Sequence, residues 1–266
     1  MQLRIFTFLG SSFLGLSFRS ILPALAAGAM AWSVGAQAAT LHIAVASNFA
    51  TPLKVIATEF ERASGHTVVT SSASTGKLYA QIKNAAPFDV LLAADDETPA
   101  RLQSDSLALA NTRFTYAVGR LALWSADATL VDAKGEVLNT GKFARLALAS
   151  PKAAPYGVAA IETLRKLHLM NPLEPKLVTG ESIAQAYSFV ASGNVALGFV
   201  ALSQVMENGK LKSGSMWLVP AGLHAPLKQD AVLLLRARDN PAAIAFMEFL
   251  KSDASRATIR SFGYEI

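Results

Sequence analysis

The stretch LHIAVASNFATPLKVIATEF, residues 41–60, decides the architecture. Residues 41–46 form an apolar run of strand length, and they read as a buried strand. The run stops at Ser47 and Asn48, which are small, uncharged and rich in hydrogen-bonding groups. Leu53, Ile56 and Phe60 then recur at helical spacing. The helix begins at Asn48 itself or at Thr51-Pro52, and either start leaves the N–H groups of residues 49–51 without helical partners. A strand passing directly into a helix belongs to α/β layering, in which ligands bind beyond the carboxyl ends of the strands.

The alternation continues along the chain. HTVVTSS (66–72) reads as a strand, GKLYAQIKN (76–84) as a short helix, FDVLLAAD (88–95) as a buried strand and ETPARLQSDS as a helix. RFTYAVGRLALWS (113–125) is too long for one strand of about 5–6 residues, and it is expected to cross from one domain into another. RLALAS (145–150) and PKLVTG (175–180) are strands, each followed by a helix; VALGFVALS and MWLVP are further strands. AVLLLRA (231–237) is expected to carry the chain back, with Asn240-Pro241 opening an amphipathic helix through an N-cap and a proline at the first helical position. The expected division is 39–118 and 228–266 in a first lobe, with 119–227 in a second.

The first 38 residues hold no acid and only two bases, Arg4 and Arg19. An apolar stretch follows Arg19 and closes on Ala36-Gln37-Ala38, the small-x-small pattern of a cleaved export signal. Residues 1–38 are therefore expected to be a signal peptide, cut near Ala38 or Ala39, which places the protein in the periplasm. The formal charge is +5, and +3 without Arg4 and Arg19. Acids and bases are interspersed without a basic block, so no nucleic-acid partner is expected. Cysteine is absent, which excludes disulfides, thiolate metal sites, a cysteine nucleophile and a lipid-modified N-terminal cysteine.

Four strand-to-helix junctions carry the chemistry: Ser47-Asn48, SASTG (72–76), SPKAAPYG (150–157) and TGESI (179–183). Each sets Ser, Thr, Asn or Tyr where a helix begins. Helix starts offer free N–H groups and the positive end of a macrodipole, a ready site for an anion. Ser, Thr and Asn are also ordinary N-caps, so one junction alone says little. The four together lack Arg and His, and Lys152 is their one base. Neutral donors suit a fully ionised oxyanion that only accepts hydrogen bonds. Each such bond contributes roughly 1.5–3 kcal/mol.

From the export signal to the C-terminus, the chain resembles the periplasmic molybdate-binding proteins of bacterial ABC importers. The resemblance rests on AVASNF, SSASTGKLYAQIKNAAPFDVLLAADDE (71–97), SPKAAPYG, LGFVALS and the closing RSFGYEI. It implies a two-lobed periplasmic binding protein fold of type II, each lobe a mostly parallel sheet flanked by helices. Molybdate or tungstate would sit in the cleft between the lobes, held through its oxygens rather than by direct metal ligation. Position by position, the implied contacts are Ser47, Asn48 and Thr75 in the first lobe, with Tyr156 and the backbone N–H of Ile183 in the second. One branch of the family places a tyrosine after LGIV; here LGFV is followed by Ala201, and that donor is missing. The expected protein is a monomer that needs no cofactor and hands its anion to a membrane permease.

Other classes fit less well. A hydrolase triad needs a histidine, and His42, His66, His168 and His224 all fall outside the four junctions. No G-x-S-x-G, H-E-x-x-H or phosphate loop is present, so no enzyme is expected. An iron binder wants carboxylates and several tyrosines. Sulfate or phosphate is the alternative ligand on the same fold. A sensor domain of a regulator lacks a DNA-binding helix pair. Asp89, Asp95 and Glu181 are read as structural, since a carboxylate repels a dianion.

Overall fold

A computed structural model describes residues 38–266. The export signal expected over residues 1–38 lies, but for Ala38, outside them. The chain runs β1 (Thr40–Ala46), α1 (Ala50–Ser64), β2 (Thr67–Ala73), α2 (Thr75–Lys83), β3 (Val90–Leu92) and α3 (Glu97–Ser104). Then β4 (Phe114–Gly119) and β5 (Leu121–Ser125) are separated by Arg120 alone. There follow α4 (Val137–Thr140), β6 (Leu146–Ala149), α5 (Pro155–Lys166), α6 (Met170–Leu173), β7 (Leu177–Gly180), α7 (Ile183–Ala191) and β8 (Leu197–Ala201). The remainder is α8 (Leu202–Val205), β9 (Met206–Glu207), β10 (Lys210–Leu211), β11 (Ser215–Leu218), β12 (Leu227–Leu233), α9 (Pro241–Leu250) and α10 (Asp253–Ser261).

Two five-stranded sheets result, ordered β2-β1-β3-β12-β4 and β11-β5-β8-β6-β7. In the first, β1 pairs in parallel with β2 and β3, while β12 runs antiparallel between β3 and β4. In the second, β6 is parallel to β7 and β8, while β5 is antiparallel to β8 and β11. The parallel half of each sheet is the part that the strand–helix alternation forecasts. The antiparallel half comes from the strands on either side of the two crossings. The fold is thus α/β and two-lobed, each lobe a sheet flanked by helices.

Burial follows from these positions. β1 is an interior strand covered on both faces, so Leu41, Ile43, Ala44 and Val45 are all buried. β2 is an edge strand, and its Thr and Ser residues face solvent. Helix α1 packs Leu53, Ile56 and Phe60 inward and ends at Gly65, whose φ of 72° is the left-handed cap that glycine favours. Asn240 caps α9 as its sequence forecasts, accepting from the Ala242 N–H at 3.0 Å. Trp124 and Trp217 are core residues. The return strand departs from expectation: it spans 227–233, and 235–237 form a 3-10 turn. Among the described residues, no helix is long and apolar enough to cross a membrane.

Candidate functional site

The four junctions follow the carboxyl ends of β1, β2, β6 and β7. After β1 the chain makes a 3-10 turn over Ser47–Phe49 before α1 begins at Ala50. In α2 the first helical bond runs from Leu78 N–H to Ser74 C=O at 3.0 Å. In α7 the Ser182 side chain caps Gln185 N–H, and the first helical bond is Ala186 N–H to Ser182 C=O at 3.1 Å. Ile183 therefore opens α7 with an N–H that has no helical acceptor. Pro155 occupies the first position of α5, and Tyr156 follows it.

Contacts between the lobes draw the junctions together. The Gly76 N–H at the start of α2 donates to Ala153 C=O at 2.9 Å, beside the start of α5. Lys77 pairs with Glu181 across the same gap. Helix α7 packs against the 47–49 turn. Asn48, Thr75, Tyr156 and Ile183 are all buried, while Ser47 is half-buried. All five residues singled out from the sequence thus sit on elements that meet where the lobes face one another.

A buried polar network lies behind them. Asn48 Nδ2 donates to Gln229 Oε1 at 2.9 Å and to the Tyr264 hydroxyl at 3.0 Å. Its carbonyl accepts from Ser203 Oγ at 2.8 Å. Gln229 Nε2 donates to the Tyr156 hydroxyl at 3.1 Å. Thr75 Oγ1 accepts from the Ala94 N–H at 3.0 Å. Ser74 Oγ is buried without a protein partner. Burial pushes the hydroxyls of Tyr116, Tyr156 and Tyr264 well above the ordinary tyrosine value, so all three keep their protons.

Sequence reasoning missed Gln229, Ser203 and Ser74 as individual residues. Ser203 and Tyr264 do fall inside LGFVALS and RSFGYEI, the blocks that carried the resemblance. Nothing local marks Gln229.

The carboxylates behave as structural groups. Asp89 accepts from the His42 N–H at 2.8 Å, and Asp95 caps α3 through Thr98 N–H at 2.8 Å. Among the described residues no three His, Cys, Asp or Glu form a metal-holding group. A cavity of about 350 Å³ shares Gly76 and residues 151–155 with the junctions. None of the five residues lines it. Asp95, Asp96, Glu97 and Glu162 do, with Lys152 and Lys228, a lining that disfavours a dianion.

Residues 41–265 match the model of a family described as bacterial extracellular solute-binding protein. The molybdate-binding protein ModA of Azotobacter vinelandii is 51% identical over 248 residues, covering 93% of this chain and 98% of that one. ModA of Rhodobacter capsulatus is 48% identical, covering 88% and 92%. The solved periplasmic molybdate-binding protein of Azotobacter vinelandii superposes with a TM-score of 0.83 at 39% identity, covering 85% of this chain and 99% of that one. With the family model spanning both sheets and relatives matched over nearly their whole length, the chain belongs to the bacterial extracellular solute-binding proteins.

Proposed function

We propose that this protein captures molybdate, and tungstate with it, between its two lobes and delivers the anion to the membrane permease of an ABC importer. Helix starts from both lobes converge with neutral donors and without an arginine or a histidine, and this convergence supports the reading most directly. The contact set is the side chains or N–H groups of Ser47, Asn48, Thr75 and Tyr156, with the N–H of Ile183. Ser74 Oγ is an orphaned buried hydroxyl, and a ligand oxygen at this junction would satisfy it. The high identity to two proteins named for molybdate binding adds to the case.

The lobes are residues 39–118 with 228–266, and 119–227; they hinge near 118–120 and 226–230. Bonds from both sides to one anion favour the closed state, so capture and closure are one equilibrium. No chemistry is performed on the ligand. The protein works as a periplasmic monomer after loss of its signal peptide.

Isothermal titration of the mature protein with molybdate, tungstate, sulfate and phosphate tests this. Tight binding of the first two, with no heat from the others, is the expected result. Heat from sulfate or phosphate with silence from molybdate would keep the fold and replace the ligand. Silence from all four would end the oxyanion reading.

A further inference from the structure

Gln229 is fully buried yet belongs to none of the four junctions. It lies on β12, the strand that returns the chain to the first sheet, opposite Ala117 of β4. Its Oε1 accepts from Asn48 Nδ2 at 2.9 Å and lies 3.1 Å from the Tyr116 hydroxyl, whose single proton it shares with the Ala93 C=O at 2.9 Å. Its Nε2 donates to the Tyr156 hydroxyl at 3.1 Å. One carboxamide therefore joins Asn48, on the turn after β1, to Tyr156, on α5 of the other lobe. A phenol that accepts from Gln229 keeps its own proton; inside the protein its acceptor is the neighbouring Tyr264 hydroxyl, and an anion oxygen would be the alternative. The space for this arrangement is reserved by Gly119, where a Cβ would collide with both the Tyr156 hydroxyl and Gln229 Nε2.

We propose that Gln229 is a positioning residue for anion capture: its amide turns the Tyr156 hydroxyl proton toward the ligand and ties that donor to Asn48 across the lobes. The assignment rests on the oxyanion reading above. Gln229 touches no ligand; it acts through Tyr156. Without it the phenol could donate in other directions, and the bond that Tyr156 makes to the anion would lose its advance orientation.

A double-mutant cycle tests this, with wild type, Gln229→Met, Tyr156→Phe and the double variant titrated with molybdate and melted in parallel. Gln229→Met keeps the length of the side chain without its amide. It is expected to weaken binding about tenfold when Tyr156 is intact and less than about twofold in the Tyr156→Phe background, because coupled residues are not additive. A merely structural role would cost the same factor in both backgrounds, and that result overturns the proposal.

Should Gln229→Met fail to fold, Gln229→Glu gives the second reading. Protonated, the Glu carboxyl can donate to Tyr156 as the amide does; ionised, it cannot, and its charge repels the anion. The hydroxyls of Tyr116 and Tyr156 touch it, Tyr264 lies beyond Asn48, and the carboxylates of Asp95 and of Asp230, which Arg113 holds at 2.7 Å, lie near Tyr116. Affinity in this variant is expected to rise as pH falls from about 8 to about 5, against a flat wild-type profile, and to rise less once Tyr156→Phe is added, where only the charge effect remains. Parallel profiles overturn the proposal. Wild-type silence toward molybdate would sink the oxyanion reading and this assignment together; wild-type binding with equal losses sinks the assignment alone.

Discussion

Thr75 has two tasks for one hydroxyl. Its oxygen accepts from the buried Ala94 N–H at 3.0 Å, and in the proposed site its proton goes to the anion. Thr75→Ala therefore removes a donor from the site and orphans a backbone N–H, which costs about 1–3 kcal/mol of stability. Both the melting temperature and the molybdate affinity should drop, and Thr75→Ser should restore both. Ile183 makes the opposite case. Its proposed contribution to the site is the backbone N–H at the start of α7, so Ile183→Val should change affinity less than about twofold. The same substitution should still cost about 0.5–1.5 kcal/mol of stability, because the side chain is buried. Calorimetric titration beside thermal melts separates the two effects.

At the scale of elements, the starts of α2 and α7 face each other across the gap between the lobes. The Lys77–Glu181 pair bridges them, while the Gly76–Ala153 bond ties the start of α2 to the loop before α5. The pair is exposed, so its worth is small and screened by salt. Lys77 holds the Glu181 carboxyl below its ordinary value, so the pair persists above that lowered value and is lost only as pH falls through it. Glu181→Gln should speed molybdate release by no more than about fivefold, and the difference from wild type should vanish in high salt; stopped-flow release rates would show it.

The same elements explain what sequence could and could not say. Alternating strand and helix periods marked nearly every large element, since each buries an apolar face. The return strand begins earlier than its local pattern suggests, because its first half, LKQD, looks like a solvated loop. In the fold Gln229 and Asp230 are buried, satisfied by Asn48, Tyr156, Arg113 and Thr115. Those partners lie far off in the chain, and local pattern carries no trace of them. The junction residues were legible because a helix start advertises itself; the network behind them was not.

Over the whole molecule, three buried tyrosines record how the lobes are joined. Tyr116 stands on β4, Tyr156 on α5 and Tyr264 at the C-terminus, and Asn48 and Gln229 link all three. Burial raises their ionisation above the ordinary value of about 10. Their contribution to stability is complete below that pH and is lost above it, because the unfolded chain ionises first. Melting temperature should thus fall as pH climbs past about 10, and Tyr156→Phe should make the fall shallower. The apolar core also spans the lobes: Ala46 and Ala94, at strand ends of the first sheet, belong to the cluster that fills the second.

Anomalous diffraction at the molybdenum absorption edge, from crystals grown with molybdate, locates the metal without assumptions about the protein. One strong peak is expected among Ser47, Asn48, Thr75, Tyr156 and Ile183, with its oxygens in hydrogen-bond reach of their donors. A peak instead in the cavity lined by Asp95, Glu162, Lys152 and Lys228 would contradict the account.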